Sequence, residues 1–163
     1  LRLCLITNGN LIPKYWPKMP GIHDMVDKIE ISVDAATRQT YEYLRRNGSW
    51  DLLIQALEIC KELRRTGKLK ALYLRFTVNK RNIDEMEEFI ELGEKYNAST
   101  VNFTLMERWP GANQEWHDKN TLLNPQGLRR IREVVDSGIL DNPKVLALCL
   151  KHADKLYGSC ECL

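Results

Sequence analysis

The sequence predicts an α/β protein built as a partial TIM-like (βα) barrel, with parallel strands, outer helices and an irregular C-terminal extension. Three strand-like segments support this prediction, because apolar and hydrogen-bonding residues alternate along residues 29–34, 72–79 and 101–105. Helical patterns separate these segments, and that order of elements is typical of a parallel sheet. A parallel sheet with one polar face is typical of a barrel whose lumen holds a ligand.

Two predicted strands and a short helix open the chain. Residues 1–6 form a strand that ends at the turn signal of residues 7–10, and a proline-interrupted connection leads to a second strand over residues 27–33. Thr37 can cap a short helical turn that runs through residues 41–44.

A long helix is predicted next, beginning at Ser49 or Asp51 and ending before Gly67. Its apolar residues recur at helical spacing on one face: Leu53, Ala56, Leu57, Cys60 and Leu63. A third strand follows over residues 70–78.

A second long helix follows the third strand. Asn82 and Glu85 have the spacing of a capping arrangement at its start, and Asn97 can end it in left-handed conformation. With a fourth strand over residues 100–105, these units make residues 1–106 the predicted partial barrel.

Residues 107–163 are predicted to form a helical and loop-rich C-terminal extension. Within it, residues 125–135 read as a helix with Asn124 as its cap and Pro125 in its first turn. Residues 143–150 are expected to add a short helix.

Composition narrows the class of protein. The 163 residues are 44% hydrophobic and 28% charged, as in ordinary globular domains, and 24 basic and 22 acidic residues give a net charge of +2. These charges are dispersed, so neither nucleic acid nor a membrane is expected as a partner. No apolar run approaches the ~20 residues that a membrane span needs. We therefore expect a cytoplasmic protein.

The cysteines argue against two kinds of stabilising site. Their number is odd and no Cys-x2-Cys pair occurs, which disfavours a disulfide framework and a self-contained zinc site. We expect reduced thiols at all five positions: Cys4, Cys60, Cys149, Cys160 and Cys162. The chain begins at Leu1 directly in a strand-like run, so we expect a piece of a longer protein.

Short motifs at the predicted strand ends follow one another in order. They are Leu-Ile-Thr-Asn-Gly at residues 5–9, Ile-Ser-Val-Asp-Ala-Ala-Thr at 31–37 with Tyr41 and Leu44-Arg45 after it, and Leu-Arg-Phe-Thr-Val at 74–78 followed by Asn82, Met86 and Phe89. Over residues 1–105 the chain resembles the later strands of a radical S-adenosylmethionine enzyme barrel. The resemblance is closest to the branch that modifies peptides and proteins and often carries additional iron–sulfur clusters.

The resemblance implies a missing upstream part. Enzymes of this superfamily hold a [4Fe-4S] cluster on a Cys-x3-Cys-x2-Cys loop and grip the cofactor's amino group with a Gly-Gly-Glu turn, and neither motif occurs in this sequence. Leu1 would then begin the family's third strand, with the upstream part of the same barrel as its partner. The Asp34-Ala35 pair departs from the commoner Asp-Gly.

The resemblance also implies a function. The longer protein would bind S-adenosylmethionine and orient it for reductive cleavage to a 5′-deoxyadenosyl radical that abstracts hydrogen from a peptide, protein or small-molecule substrate. The isolated chain would be inactive. One alternative is a non-catalytic half-barrel that serves as a binding or interaction module. Another is an unrelated barrel hydrolase, for which the predicted strand ends offer no paired carboxylates or metal ligands.

The main candidate site residues lie on the predicted polar face. By resemblance, Ser32 and Asp34 would bind the ribose of the cofactor; the alternative is that Ser32 fills the lumen and Asp34 caps the following turn. Arg75 would meet the cofactor's carboxylate, because a buried guanidinium needs an anion. The alternative partner of Arg75 is Glu30, in an internal ion pair.

Further polar residues are expected to line the lumen. Asn8, Thr77 and Asn79 would lie near the cofactor or substrate, and the candidates on the substrate side are Tyr73, Asn102 and Thr104. Ordinary internal hydrogen bonding is the alternative for each of them.

Residues outside the strands give weaker signals. We expect three surface or loop histidines: His23, His117 and His152. Three aromatic residues could form either a substrate platform or a small packed lid: Trp109, Trp116 and Tyr157. Cys160 and Cys162, with Cys149 upstream, could belong to an auxiliary cluster, although two cysteines one residue apart are poor chelators alone.

Truncation of a barrel would leave an open edge. If the first two strands are missing, the strand at residues 3–6 has unpaired backbone groups, and we expect two copies of the chain to associate through it. The alternative is that the segment from Trp109 onward folds over this edge.

Overall fold

The computed structural model describes residues 1–107 and 113–153, with the backbone alone for residues 148 and 149. Its strands are β1 (Leu3–Thr7), β2 (Val26–Ser32), β3 (Ala71–Val78), β4 (Thr100–Leu105) and β5 (Val145–Leu146). They form one all-parallel sheet in the order β1-β2-β3-β4-β5. The predicted α/β class with parallel strands is confirmed, and the architecture is consistent with a partial TIM-like barrel.

Helices connect the strands and extend beyond them. They are α1 (Ile12–Tyr15), α2 (Pro20–His23), α3 (Arg38–Leu44), α4 (Trp50–Arg65), α5 (Met86–Lys95), α6 (Gln114–Asn120), α7 (Pro125–Asp136) and α8 (Leu148–Lys151). Short 3₁₀ turns occupy Trp16–Lys18, Ile83–Glu85 and Ile139–Asp141. Within the described residues, no helix combines the length and apolar character needed to cross a membrane.

The predicted alternation is present in the sheet. In β3, Leu72, Leu74, Phe76 and Val78 are buried, whereas the residues between them are half-buried. The rings of Phe76, Phe89 and Phe103 pack together with centroids 4.7–5.9 Å apart. The apolar face of α4 is also buried, as predicted, at Leu53, Ala56, Leu57 and Cys60. The helices thus bury one face of the sheet, whereas the polar side chains of β3 on the other face are half-buried.

Three predicted helix caps are confirmed. Thr37 Oγ1 accepts a hydrogen bond from the backbone N–H of Thr40, Ser49 Oγ accepts from Leu52, and Asn124 Oδ1 accepts from Gly127. Asn97 has a φ of 55°, as predicted for a residue that ends a helix in left-handed conformation.

The predicted capping arrangement of Asn82 and Glu85 is wrong. The side chain of Asn82 is fully buried and donates to the carbonyl oxygens of Asp34 and Thr77, at 2.9 and 3.0 Å. The Glu85 carboxylate reaches the loop before α3, where it accepts from the Ala36 backbone N–H at 2.7 Å. Both side chains therefore connect the segment between β3 and α5 to the chain after β2. These long-range hydrogen bonds use the side-chain atoms that a local helix cap would need.

Residues 143–150 also differ from the predicted single short helix. Val145 and Leu146 form β5, which pairs with Val101 and Asn102 of β4, and α8 begins only at Leu148. The pairing of these two residues with β4 takes precedence over the local helical pattern.

Candidate functional site

A cleft of about 210 Å³ lies at the carboxyl ends of the central strands. On the sheet side it is lined by Asp34, Thr77, Asn79, Met106 and Glu107. Leu44 of α3 and two residues of α6, Trp116 and His117, line the rest. Helix α6 is held here because the backbone N–H of Lys80, after β3, donates to the carbonyl oxygen of Asn120 at 2.9 Å. Ligands of parallel α/β sheets bind at this end of the strands.

Asp34 joins three segments around the cleft. Its Oδ1 accepts from the backbone N–H of Thr77 at 2.7 Å, and its carboxylate forms an ion pair with Arg45. The Asp34 side chain is 12% exposed, and the residue has a φ of 63° in the left-handed region. The carboxylate thus bridges β3 and the end of α3 instead of capping the turn that follows Asp34.

Alanine at position 35, where Asp-Gly is the commoner pair, causes no backbone strain. Glycine is favoured where φ is positive, and Ala35 is not among the described residues with positive φ. The departure from Asp-Gly at this position is therefore compatible with the fold.

An ion-pair cluster occupies the polar face of β2 and β3. Arg75 Nη1 lies 3.0 Å from Glu30 Oε1, and Lys28 Nζ lies 3.4 Å from Glu30 Oε2. Lys28 also stands over the ring of Tyr73, 4.3 Å from its centroid. The internal pair of Arg75 with Glu30, one of the two predicted alternatives, is present. Because two cations surround one carboxylate, the cluster carries an excess positive charge.

The strand register brings other predicted site residues together. Ser32 is paired with Arg75, Arg75 with Asn102, and Thr77 with Thr104, all half-buried. These residues lie side by side on the polar face of three neighbouring strands, as predicted.

Two of the predicted lumen residues have internal roles. Asn8 Oδ1 accepts from the backbone N–H of Asn10 at 3.2 Å, which stabilises the turn after β1. Asn79 Nδ2 donates to the carbonyl oxygen of Thr77, and Asn79 Oδ1 accepts from the backbone N–H of Arg81. Both show the internal hydrogen bonding that was the alternative prediction.

The prediction of a surface or loop position is wrong for His117. His117 lies in α6 and is 8% exposed, whereas His152 is exposed. His23 is half-buried, with Nε2 2.7 Å from the carbonyl oxygen of Trp16. The signal missed in the sequence is the three-residue spacing of His117 and Asn120, both buried on one side of an otherwise exposed helix.

The thiols described are free and differ in environment. Cys4 is exposed on β1, while burial of Cys60 raises the pKa of its thiol to about 12. Among the described residues, no group of three or more His, Cys, Asp or Glu side chains could hold a metal ion. Trp116 is 41% exposed. Four predicted candidates lie outside the described residues: Trp109, Tyr157, Cys160 and Cys162.

Comparison with known proteins points to one group of enzymes. The chain is 32% identical over 94 residues to mycofactocin maturase MftC of Mycolicibacterium smegmatis, covering 57% of the chain and 22% of that protein. It is 27% identical over 120 residues to mycofactocin maturase MftC of Mycobacterium tuberculosis, covering 74% of the chain and 29% of that protein. No family model matches the chain.

These similarities support a broad class of protein for this chain. The chain spans less than a third of the length of the curated relatives it matches. Together with the all-parallel sheet, the similarity supports the radical S-adenosylmethionine superfamily as a whole.

Proposed function

We propose that this chain forms one part of a radical S-adenosylmethionine enzyme and orients the cofactor on the polar face of β2, β3 and β4. The observation that carries the proposal is the alignment of Ser32, Arg75 and Asn102 across three neighbouring parallel strands. The similarity to mycofactocin maturases supports the same superfamily.

The residues present suit the polar parts of S-adenosylmethionine. Arg75 uses one guanidinium nitrogen for Glu30, and a guanidinium has five N–H donors, so it can also bind a carboxylate. Asp34 accepts from Thr77 and Arg45, yet a carboxylate has about four acceptor sites and can also accept from a ribose hydroxyl. Ser32, beside Arg75 in the register, supplies a hydroxyl that both donates and accepts.

The iron–sulfur cluster would be bound elsewhere in the longer protein. In the superfamily that the chain resembles, a Cys-x3-Cys-x2-Cys loop holds the cluster, and we propose that a segment upstream of residue 1 supplies this loop. When bound, the cluster and S-adenosylmethionine together supply the radical chemistry, while this chain binds and orients the cofactor. Because the relatives are named maturases, we propose a peptide or protein as the substrate.

Reconstitution tests this proposal. The protein extended upstream of residue 1 and treated anaerobically with iron and sulfide should develop broad visible absorbance and cleave S-adenosylmethionine. The chain of residues 1–163, treated in parallel, is the control and should do neither. If the extended protein stays colourless with its thiols intact, the chain is better explained as a non-catalytic half-barrel module.

A further inference from the structure

A groove of about 260 Å³ lies between α3 and the segment that follows β3. Four described residues line it, and none of them lines the cleft at the carboxyl ends of the strands: Gln39, Thr40, Tyr43 and Arg81. The same two segments contribute Leu44 and Asn79 to that cleft. The groove is therefore a separate surface that lies next to the cleft.

The Arg81 guanidinium has no anionic partner in the part of the chain that the structure describes. It makes neither an ion pair nor a hydrogen bond with a described residue, and it stands over the ring of Tyr43, 4.9 Å from the centroid. Stacking on an aromatic ring holds a guanidinium in place and leaves its five N–H donors available. This arrangement suits a carboxylate, which a guanidinium binds through two parallel hydrogen bonds.

The charge of the groove also favours an anion. Arg81 is the one charged residue among the described residues that line it. The nearby Glu85 carboxylate accepts from the Thr40 hydroxyl, but Glu85 neither lines the groove nor forms an ion pair with Arg81. The groove thus presents a positive charge without a carboxylate of its own.

The remaining groups that line the groove suit a peptide. The Gln39 side chain is exposed, and its amide carries both a donor and an acceptor, as a peptide bond does. Tyr43 is 53% exposed, so one side of its ring can pack on aliphatic carbons while the other holds Arg81. Exposed tyrosine and arginine side chains are enriched where proteins bind other chains.

We propose that this groove is a docking site for a peptide segment and that Arg81 binds the side-chain carboxylate of an aspartate or glutamate in that segment. The proposal rests on the function proposed above, since it assigns an acidic segment to the proposed peptide or protein substrate. The groove lies beside the cleft, so a segment bound there keeps the neighbouring part of the same peptide close to the carboxyl ends of the strands. Arg81 is then a specificity-determining residue.

Three short peptides test the requirement for a side-chain carboxylate. They are N-acetyl-Ala-Glu-Ala-amide, its neutral Gln counterpart, and N-acetyl-Ala-Gln-Ala with a free C-terminal carboxylate. Each is titrated into the 163-residue chain while the Arg81 Nε–H and the backbone amides of residues 39–43 are followed by NMR. We expect saturable shifts with the Glu peptide and affinity about fivefold weaker for the other two, as for loss of one well-aligned ion pair at an exposed site.

Two results would overturn the proposal. Equal affinity for the Glu and Gln peptides, or no shift at Arg81, would show that Arg81 does not bind the carboxylate. Binding of the free C-terminal carboxylate as tightly as the Glu side chain would show that the groove does not select an acidic side chain.

Matched variants separate Arg81 from other exposed cations. Arg81→Met keeps an aliphatic stem on Tyr43 and should remove the preference for the Glu peptide, whereas Arg81→Lys should retain part of it. Arg46→Met, at an exposed position just after α3, should leave the preference unchanged. Equal loss in Arg46→Met would reduce the effect to general charge attraction and contradict the proposal.

These measurements are independent of the proposed cofactor chemistry. The probes require neither S-adenosylmethionine nor a cluster, so their failure leaves cofactor binding untouched. If the upstream-extended protein does not cleave S-adenosylmethionine but the preference for the Glu peptide is present, the proposed function fails and the docking site remains.

Discussion

At the scale of single residues, Asp34 shows what the sequence can and cannot predict. Its position at the end of a strand with a polar face was apparent from the alternation of residues. Its partners were not, because Thr77 and Arg45 are 43 and 11 residues away and meet it only through the register of the sheet and the path of α3. The same applies to His117, whose burial depends on the docking of α6.

Replacing Asp34 tests its bridging role. Asp34→Asn keeps an oxygen that can accept from Thr77 but removes the charge that pairs with Arg45. We expect the free energy of unfolding to fall by about 1–3 kcal/mol, since a partly buried guanidinium loses its carboxylate. Urea unfolding followed by circular dichroism measures the change.

Asp51→Asn is the matched control for this experiment. Asp51 also pairs with an arginine, Arg38, but its side chain is 67% exposed. Exposed ion pairs contribute little to stability, so this variant should unfold almost like the original chain. Equal destabilisation by the two substitutions would contradict the structural role of Asp34.

At the scale of elements, local sequence signals located most helices but not the long-range hydrogen bonds that these helices make. The cap residues Thr37, Ser49 and Asn124 were predicted correctly because each acts within its own turn. Glu85 was assigned to a local cap, whereas it binds the loop before α3 and the first turn of α3, 45–49 residues earlier in the chain. Sequence spacing cannot distinguish these two uses of a glutamate near a helix start.

Glu85 should stabilise the start of α3. Its carboxylate accepts from the backbone N–H groups of Ala36 and Thr37 and from the hydroxyls of Thr37 and Thr40. Glu85→Ala removes all of these hydrogen bonds, and we expect a loss of about 1–3 kcal/mol in the free energy of unfolding. Calorimetric melting should show a lower Tm. Glu88→Ala, at an exposed position in the first turn of α5, is the control. A similar fall in Tm for both variants would contradict the stabilisation of α3 by Glu85.

At the scale of the whole molecule, strand alternation predicted the parallel sheet and its polar face. The pairing of Val145 and Leu146 with β4 was missed because a two-residue strand carries almost no periodic signal. The position of α6 over the strand ends was also not predicted from the sequence. It involves the backbone hydrogen bond between Lys80 and Asn120, and a backbone contact leaves no side-chain pattern.

The sheet edge at β1 predicts self-association of this chain. Among the described strands β1 pairs only with β2, and Ile6 is 62% exposed. An unpaired edge beside apolar surface favours pairing with a second copy. Light scattering at increasing concentration should show a dimer, which Ile6→Lys weakens and Leu52→Lys, at an exposed position on α4, does not. A monomer at the highest concentration, with the amides of residues 3–6 protected from hydrogen exchange, would contradict it.

The proposed function depends most on binding of S-adenosylmethionine to the polar face of the sheet through Arg75. The most direct test is calorimetric titration of the reconstituted, upstream-extended protein with S-adenosylmethionine, comparing Arg75→Met with Lys28→Met. Both residues contact Glu30, so both substitutions remove an ion pair, but only Arg75 is proposed to touch the cofactor. We expect a loss of about 2–4 kcal/mol in binding free energy for Arg75→Met and almost none for Lys28→Met. Unchanged binding by Arg75→Met, with a lowered Tm, would contradict it and leave Arg75 with a structural role beside Glu30.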